Sequence, residues 1–191
     1  MNIKIISFLG FIAIFFSSCQ KDLTDQQKEE YVIKGKEIAQ ATVKNLGSNL
    51  MKHMKEGGPE QAIPFCNTTA NSLTEEVAKK YNVSIKRTSL KIRNENNKPN
   101  KDEEEILNQY LASLSKGESL KPIISKDKTG KVHFYAPMKL EAKCLACHGT
   151  VGKKVSVKTD SIIKSLYPND KATGFKVDDL RGIVNITFES E

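Results

Sequence analysis

The sequence of 191 residues is poor in the side chains that most often carry chemistry in proteins. It contains no tryptophan, four cysteines and three histidines, so few residues are available to bind a metal or a cofactor. It also lacks internal repeats and low-complexity tracts. Lysine and arginine outnumber the acidic residues by 30 to 23, but the two signs are interleaved and no basic helix is formed. We therefore expect a globular chain that does not bind nucleic acid.

Long apolar runs are lacking too, apart from one near the amino terminus. The run Ile5–Phe16 follows one positive charge and is shorter than the roughly 20 residues that a membrane helix needs. Ser17-Ser18-Cys19 comes next, and small residues before a cysteine resemble the lipobox of bacterial lipoproteins. We predict a signal peptide over residues 1–18, a lipid on Cys19 and a tether over residues 19–24. Ordinary secretion and an uncleaved anchor are the alternatives.

All three alternatives place the rest of the chain outside the cytoplasm. We expect it on the periplasmic or cell-surface side of a bacterial membrane, held there by the lipid on Cys19.

Residues 25–191 predict a single domain of the α+β class. Thr24 and Gln27 have the form of a capping box, and the apolar pattern after them predicts a long helix that ends at Gly57-Gly58-Pro59. A second helix is expected over residues 59–81. Strands then dominate without a repeated βαβ rhythm, which favours an antiparallel sheet flanked by helices. The remaining predicted elements are strands over 83–92, 121–125, 132–138 and 184–188 and helices over 102–117 and 160–166.

The last strand has a clean alternation of apolar and polar side chains. Val184, Ile186 and Phe188 are expected to face the core, and Asn185 and Thr187 to face outward. We interpret this pattern as an edge or half-buried strand.

The most specific pattern in the chain is Cys144-Leu145-Ala146-Cys147-His148, which has the spacing of a c-type haem attachment site. Its two thiols can reach the two vinyl groups of one porphyrin, and the histidine can bind the iron as proximal ligand. A structural zinc site would need a second ligand pair, which the sequence lacks. A thioredoxin-like dithiol would follow a strand of a βαβ unit, and a disulfide would leave His148 without a role. We predict one covalent haem c, attached through Cys144 and Cys147.

The second axial ligand of the iron is left open by the residues alone. With Cys19 lipidated and the two motif cysteines bound to haem, Cys66 is the remaining thiol. It lies on the apolar stripe of the second helix, as either an inert buried cysteine or the ligand opposite His148. The competing candidates are Met138, His133, His53 and Met54.

Other side chains are candidates to contact the haem. Arg87, Arg93 and Arg181 could pair with the propionates in a bidentate way, or form surface or structural ion pairs instead. Tyr135 and Tyr167 could pack on the porphyrin edge, or belong to the ordinary core.

A series of short blocks follows in order between about Tyr31 and Phe188. The blocks are Ala62-Ile63 with Cys66, Arg87-Thr88-Ser89, Arg93-Asn94, Asn97 with Pro99, Tyr135-Ala136-Pro137, Cys144 to Gly149, Tyr167-Pro168 with Asp170, Ala172 and Gly174, and Asp179-Leu180-Arg181-Gly182. Together they resemble the single-haem c-type cytochrome family with a PAS-like fold, which includes Tll-like haem-binding sensor domains.

The resemblance implies a PAS-like antiparallel sheet with flanking helices. It also implies a haem held by Cys144 and Cys147, with His148 and the Cys66 sulfur as axial ligands. A thiolate ligand favours ferric iron, so a low-potential, six-coordinate centre is expected. Two positions depart from the usual pattern of the family, namely Glu95 in place of a frequent proline and Asp178 in place of a frequent glycine.

We therefore expect a membrane-tethered haem protein that acts in redox sensing or electron transfer and is not an enzyme. Its partner would be a redox or signalling protein, which the sequence does not identify. The long first helix either packs on the domain or forms a homodimer with a second copy. The alternatives are a haem enzyme of the peroxidase type, which needs an open iron position, and a haem-free zinc or disulfide module.

Overall fold

The computed structural model describes residues 22–189, so the predicted signal peptide and Cys19 lie outside the described residues. The helices are α1 (Asp25–Tyr81), α2 (Lys101–Ser115), α3 (Leu145–His148) and α4 (Val157–Leu166), with 3-10 turns at Glu95–Asn97 and Ala142–Cys144; the strands are β1 (Val83–Thr88), β2 (Ile123–Lys126), β3 (Val132–Lys139) and β4 (Leu180–Phe188). The strands are antiparallel, in the order β1-β4-β3-β2. The predicted α+β class is confirmed. Within residues 22–189, no helix is both long and apolar enough to cross a membrane.

Helix α1 consists of two arms joined at a sharp break. It begins at the predicted capping box, in which Thr24 accepts a hydrogen bond from the backbone of Gln27. Gly57 and Gly58 leave the helical conformation, and Gly58 has a φ of 68°, which favours glycine. Pro59 follows, where its missing N–H costs little because the first turn of an arm leaves that donor unpaired. The predicted end of the first helix is therefore confirmed.

The two arms of α1 lie antiparallel and form a helical hairpin. Three side-chain contacts, eight residues apart along each arm, hold the arms together. They are the hydrogen bond from the Tyr81 hydroxyl to Glu37 (3.0 Å), the hydrogen bond from the Asn45 amide to the Leu73 carbonyl (3.2 Å), and the stack of His53 on Phe65 with ring centroids 4.1 Å apart. The second arm, which carries Cys66, is thereby held between the first arm and α4.

The first arm of α1 packs directly on one face of the sheet, which we call the α1 face. Gly35 allows this close approach, because a Cβ at this position would overlap the ring of Phe134. Burying this apolar surface is the main stabilising contribution of the face. Its core contains Ile38, Ala39, Val77, Val132, Phe134, Val184, Ile186 and Phe188.

The other face of the sheet is covered by α2 and is called the α2 face. Strand β4 lies at the centre of the sheet between β1 and β3, so the prediction of an edge or half-buried strand is wrong. Asn185, expected to face outward, is 5% exposed. Its side-chain amide donates to Glu103 on α2 (3.0 Å), and the buried Glu103 carboxylate also pairs with Lys86 on β1 (2.6 Å). Polar alternation on β4 therefore indicates a buried hydrogen-bond network, not contact with solvent.

Two predicted boundaries also move. Strand β1 ends at Thr88, not at residue 92, because the chain bends after it towards the 3-10 turn. Helix α2 begins after Asn100, whose side chain accepts from the backbone of Glu103 (2.8 Å) in a reciprocal capping box. The predicted start at residue 102 was placed at the acidic run, whereas the N-cap is Asn100, two residues earlier.

The loop before β4 explains one departure from the family pattern. Asp178 has a φ of 70°, in the left-handed region that glycine adopts at little cost. Its carboxylate pairs with Lys139 (2.7 Å) on the surface. The family's frequent glycine at this position therefore meets a backbone requirement, which an aspartate also tolerates.

Candidate functional site

The cysteine-histidine motif forms one tight helical segment. The 3-10 turn Ala142–Cys144 leads directly into α3, which places Cys144 and Cys147 about one turn apart. Gly149 ends α3, and a Cβ at this position would approach both the Leu145 carbonyl and the side chain of Lys154 at 2.6 Å. The glycine after the histidine is therefore required by space, since its φ of −74° is ordinary.

His148 is held so that one ring nitrogen remains available. Its Nδ1 lies 2.7 Å from the carbonyl oxygen of Ala172. A carbonyl only accepts, so Nδ1 carries the proton and the Nε2 lone pair is free to bind a metal. Burial, and then the positive charges of Arg181 and Arg93, hold the pKa of His148 well below its usual value. The neutral imidazole that an iron ligand must be is the favoured form here.

The loop after α4 holds the motif in place through its backbone. The N–H of Phe175 donates to the carbonyl of His148 (2.9 Å), and the N–H of Gly174 donates to the carbonyl of Gly149 (2.9 Å). The Phe175 ring also stands nearly perpendicular to the imidazole of His148, with centroids 6.3 Å apart. The same loop thus positions both the backbone and the ring of the histidine.

Arg93 ties this loop to the motif. Its Nε donates to Asp170 (2.9 Å) and its Nη2 donates to the carbonyl of Cys147 (2.7 Å). The side chain of Arg93 is 12% exposed and that of Asp170 is 4% exposed, so this is a largely buried ion pair. Of the two expectations for Arg93, the structure favours the structural ion pair over a propionate contact.

Cys66 approaches the motif from the second arm of α1. Burial raises the pKa of its thiol, and the nearby charges of Arg87 and Arg93 act in the opposite direction. Burial also raises the pKa of Cys147 to about 11, and interactions with Cys66 and Cys144 contribute to the shift. Cys66, Cys144 and Cys147 are all half-buried free thiols, and Cys66 and Cys144 lie near enough to Cys147 to raise its pKa.

Arg87 and Arg181 differ from Arg93, because neither pairs with a carboxylate within residues 22–189. Arg87 donates to the Ala70 carbonyl (3.3 Å), and Arg181 donates to the Lys91 carbonyl (3.2 Å). Burial lowers the pKa of both guanidinium groups, that of Arg181 to about 10, where Arg93 adds to the effect. Partly buried cations without a carboxylate partner are well suited to bind an anionic group such as a propionate.

The two tyrosines have different surroundings. Tyr167 packs with Ile63 and with Cys147. Burial raises the pKa of its hydroxyl, and the charge of Cys66 acts in the same direction. A hydrogen bond with Asn67 lowers the pKa but does not cancel the increase. Tyr167 therefore borders the site.

Tyr135 lies on the α2 face and is 2% exposed. It packs against Leu107 and Tyr110, and the Tyr110 hydroxyl donates to its backbone carbonyl (2.9 Å). Of the two expectations for Tyr135, the structure favours ordinary core packing over a haem contact, because Tyr135 lies on the face of the sheet opposite α1.

Of the competitors of Cys66 as second axial ligand, His133 and His53 make other contacts. Both ring nitrogens of His133 have partners on the α2 side, namely Asp127 (3.1 Å) and Thr187 (3.1 Å). Met138 packs at the edge of the core on the α1 face. His53 stacks on Phe65, and its Nδ1 lies 3.3 Å from Glu56 without hydrogen-bond geometry. Met54 lies half-buried near the end of the first arm.

Three positioning residues received no role from sequence reasoning. Asp170 and Ala172 belong to a block of the family resemblance, so a signal for them existed, but no pattern linked them to Arg93 or to His148. Phe175 had no signal at all, because a single aromatic in a loop has no periodicity.

Metal clusters of the ordinary kind are not found in the described part of the chain. No group of three or more His, Cys, Asp or Glu side chains within residues 22–189 is arranged to hold a metal ion. The donor set at the motif instead consists of two adjacent thiols, one imidazole with a free nitrogen, and a third thiol from α1. This set fits a haem with two thioether bonds and two axial ligands better than it fits zinc.

Comparison with known proteins agrees with the resemblance. The family model described as Tll0287-like matches residues 20–188. The crystal structure of the cyanobacterial haem protein Tll0287 is 26% identical in sequence, with 87% of this chain and 96% of that chain covered and a TM-score of 0.60. No curated protein matches. The predicted family resemblance and the fold are confirmed.

Proposed function

The chain belongs to the Tll0287-like family, and we propose that it is an exported, membrane-tethered c-type haem protein for redox sensing or electron transfer. Two independent facts support haem binding, namely a relative described as a haem protein and the attachment motif at Cys144–His148. The observation that carries the proposal is the hydrogen bond from His148 Nδ1 to Ala172, which leaves Nε2 for iron.

In this proposal, one haem is covalently attached through Cys144 and Cys147. His148 supplies the proximal nitrogen, and the sulfur of Cys66 supplies the ligand opposite it. The pKa of Cys66 is raised by burial in the structure, and a bound ferric ion would favour the thiolate. When bound, the haem would supply a reversible one-electron change at its iron.

The remaining side chains set the conditions for that change. Arg93 and Asp170 keep the motif against its loop. Arg87 and Arg181 bring positive charge to the site, where propionates can neutralise it. Thiolate ligation favours the ferric state, in contrast to methionine, which raises the potential. With both axial positions filled by protein, electron transfer or sensing is favoured over turnover of a substrate at the iron.

Localisation and partners follow from the export segment. A lipid on Cys19 would hold the domain at the membrane surface, outside the cytoplasm, where haem c is attached. With both axial positions filled, the haem would exchange electrons without binding a substrate at the iron, and we expect a separate redox or signalling protein as its partner.

Haem attachment is tested by expressing the chain with a haem-attachment system. We expect a pyridine haemochrome spectrum of the c type and an intact mass raised by one haem, both lost in the Cys144→Ala/Cys147→Ala variant. Protein that folds without haem in the unaltered chain would overturn the proposal and favour the zinc or disulfide module.

The second ligand is tested with Cys66→Ser and Cys66→Met in the haem-loaded protein. Cys66→Ser is expected to change the absorption and electron paramagnetic resonance spectra while the covalent haem stays attached. Cys66→Met is expected to raise the midpoint potential, because thioether sulfur stabilises ferrous iron. Unchanged spectra in Cys66→Ser would contradict the ligand assignment. Rapid peroxide turnover by the unaltered protein would instead favour the peroxidase alternative.

A further inference from the structure

One cavity near the candidate haem site is not lined by any of the proposed iron ligands. Its volume is about 570 Å³, within the range of small-molecule sites. It opens between α2, the segment 89–91 and the loop 174–180, and neither Cys66 nor the motif Cys144–His148 lines it. The cavity is therefore distinct from the proposed iron ligands, and Gly174 and Phe175 of its lining also bond to the backbone of His148 and Gly149.

The wall of this cavity is unusually apolar for an exposed surface. Leu90 is 38% exposed, Leu111 on α2 is 43% exposed and Val177 is 47% exposed. They come from three separate segments, yet all three line the same cavity. Eight large hydrophobic residues are exposed within residues 22–189, so the convergence of three of them marks this surface as a binding site.

The charged side chains that line the cavity differ in their partners. Asp178 pairs with Lys139 (2.7 Å), and the Asp179 carboxylate accepts from the backbone of Lys176 (2.7 Å). The Lys91 ammonium donates to the Thr173 carbonyl and lies 4.3 Å from the centre of the Phe175 ring. No carboxylate pairs with Lys91 in the described part of the chain. One cation is thus available beside an apolar cavity whose carboxylates are already engaged.

Phe175 connects this cavity to the candidate haem ligand. It lines the cavity, its ring stands nearly perpendicular to the His148 imidazole with centroids 6.3 Å apart, and its N–H donates to the His148 carbonyl. A molecule in the cavity would therefore touch the same ring that supports His148.

We propose that this cavity binds a small amphipathic carboxylate, with its apolar body against Leu90, Leu111 and Val177 and its carboxylate on Lys91. Contact with Phe175 transmits its presence to His148. The binding step stands without haem, whereas the transmission step rests on the proposed function. The charge of Lys91 selects an anionic head, and the apolar walls select a chain or ring behind it.

Binding is tested by calorimetry on the mature chain with octanoate, and with octanol and octylamine as matched neutral and cationic probes. Octanoate is expected to bind at one site and more tightly than either other probe. Lys91→Gln should weaken the binding of octanoate by about tenfold and leave the binding of octanol unchanged. Leu111→Trp, which places a large ring at the opening, should weaken both.

The matched control is Val157→Trp, at a residue that is 74% exposed on α4, which should bind octanoate normally. Failure of octanoate to bind, equal binding of octylamine, or undiminished binding to Leu111→Trp would overturn the site.

Transmission is tested by the absorption spectrum of the haem-loaded protein during the same titration. A shift that saturates with octanoate binding is expected, and Phe175→Leu should reduce the shift more than it reduces binding. Binding without any spectral shift would overturn the transmission step. Failure of the protein to take up haem would refute the proposed function. Calorimetry needs no haem, so octanoate binding would still decide whether the cavity is a binding site.

Discussion

The imidazole of His148 is suited to bind iron because its other nitrogen is already occupied by the Ala172 carbonyl. The same principle applies to Arg93, whose guanidinium is held by Asp170 and by the backbone of the motif. In His148 the hydrogen bond to Ala172 orients the ring for iron binding, and in Arg93 the ion pair with Asp170 orients the guanidinium towards the Cys147 carbonyl. Arg87 and Arg181 lack a carboxylate partner in the described residues, and they are the two cations that we expect to meet propionates.

Asp178 provides a test of backbone conformation at the residue scale. Asp178→Ala should lower the free energy of unfolding by about 1 kcal/mol relative to Asp178→Gly, because alanine pays a steric cost at positive φ that glycine does not. Urea unfolding measures both variants. Lys139→Ala serves as the control for the surface ion pair. Equal stability of the alanine and glycine variants would show that the positive φ is not maintained in solution.

The pair of Arg93 and Asp170 tests how the motif is held. Asp170→Asn should cost about 3 kcal/mol of folding free energy, because it leaves a largely buried guanidinium without its counter-charge. The double variant Arg93→Gln/Asp170→Asn should cost less than the sum of the single variants. Urea unfolding of the four proteins gives the coupling. Additive losses would mean that the two side chains stabilise the fold independently.

At the scale of elements, α1 decides the geometry of the site more than any strand does. Its break at Gly57–Gly58 turns the second arm back, so that Cys66 lies close enough to affect the pKa of Cys147, about 80 residues later in the sequence. The break itself is local, and the Gly-Gly-Pro sequence predicts it. The proximity of Cys66 to Cys147 is not local; the cysteine count made Cys66 one of several candidate ligands, and the family resemblance singled it out.

Long-range pairing is also the reason why other details escaped prediction. The alternation of β4 correctly identified the side chains of the α1 face, but it did not reveal α2 on the other face. The buried carboxylate of Glu103, which satisfies Asn185, belongs to a different element. The two alternatives for Tyr135 stayed open because the neighbours of a strand residue do not show which face of the sheet carries the ligand site. Secondary structure and the haem motif were thus predictable, whereas the partners of polar residues across elements were not.

The β2–β3 hairpin provides a pH-dependent test. The pKa of Asp127 is lowered, mainly by hydrogen bonds from Thr129 and His133. A lowered folded pKa means that the stabilisation is present above the unfolded pKa of about 3.9 and is lost as the pH falls through the folded value. Asp127→Asn should therefore be less stable than the unaltered protein at pH 7, with the difference shrinking towards pH 3.

Urea midpoints across this pH range measure the difference. Glu118→Gln, at an exposed position, is the control and should show no comparable trend. A constant difference between Asp127→Asn and the unaltered protein at every pH would contradict the role of the carboxylate.

At the scale of the whole molecule, α1 links the predicted tether to the candidate haem site. Its first residues follow directly after the predicted tether, and its second arm reaches the motif. The first arm packs on the sheet of its own domain. A homodimer through this helix would therefore have to use the side that the sheet leaves exposed, where Ile33 and Met51 are 62% and 40% exposed.

The lipid anchor is tested in cells that export the protein. Cys19→Ser should move the protein from the membrane fraction to the soluble fraction, because the lipid needs the cysteine thiol. The haem spectrum should stay unchanged. Membrane association of Cys19→Ser would favour an uncleaved anchor, and an unaltered protein found in the soluble fraction would favour ordinary secretion.

The position of Cys66 on the second arm has a consequence for folding. With sulfur and imidazole bound to the same iron, the metal would act as a cross-link that closes a loop of about 80 residues between the two halves of the chain. A cross-link of this span lowers the conformational entropy of the unfolded state, which stabilises the folded state by about 4–5 kcal/mol. Release of the sulfur would free the hairpin from this loop. Helix α1 begins directly after the predicted tether, so in a chain anchored through Cys19, as we propose, a change of ligand at the iron would alter the part of the domain next to the anchor.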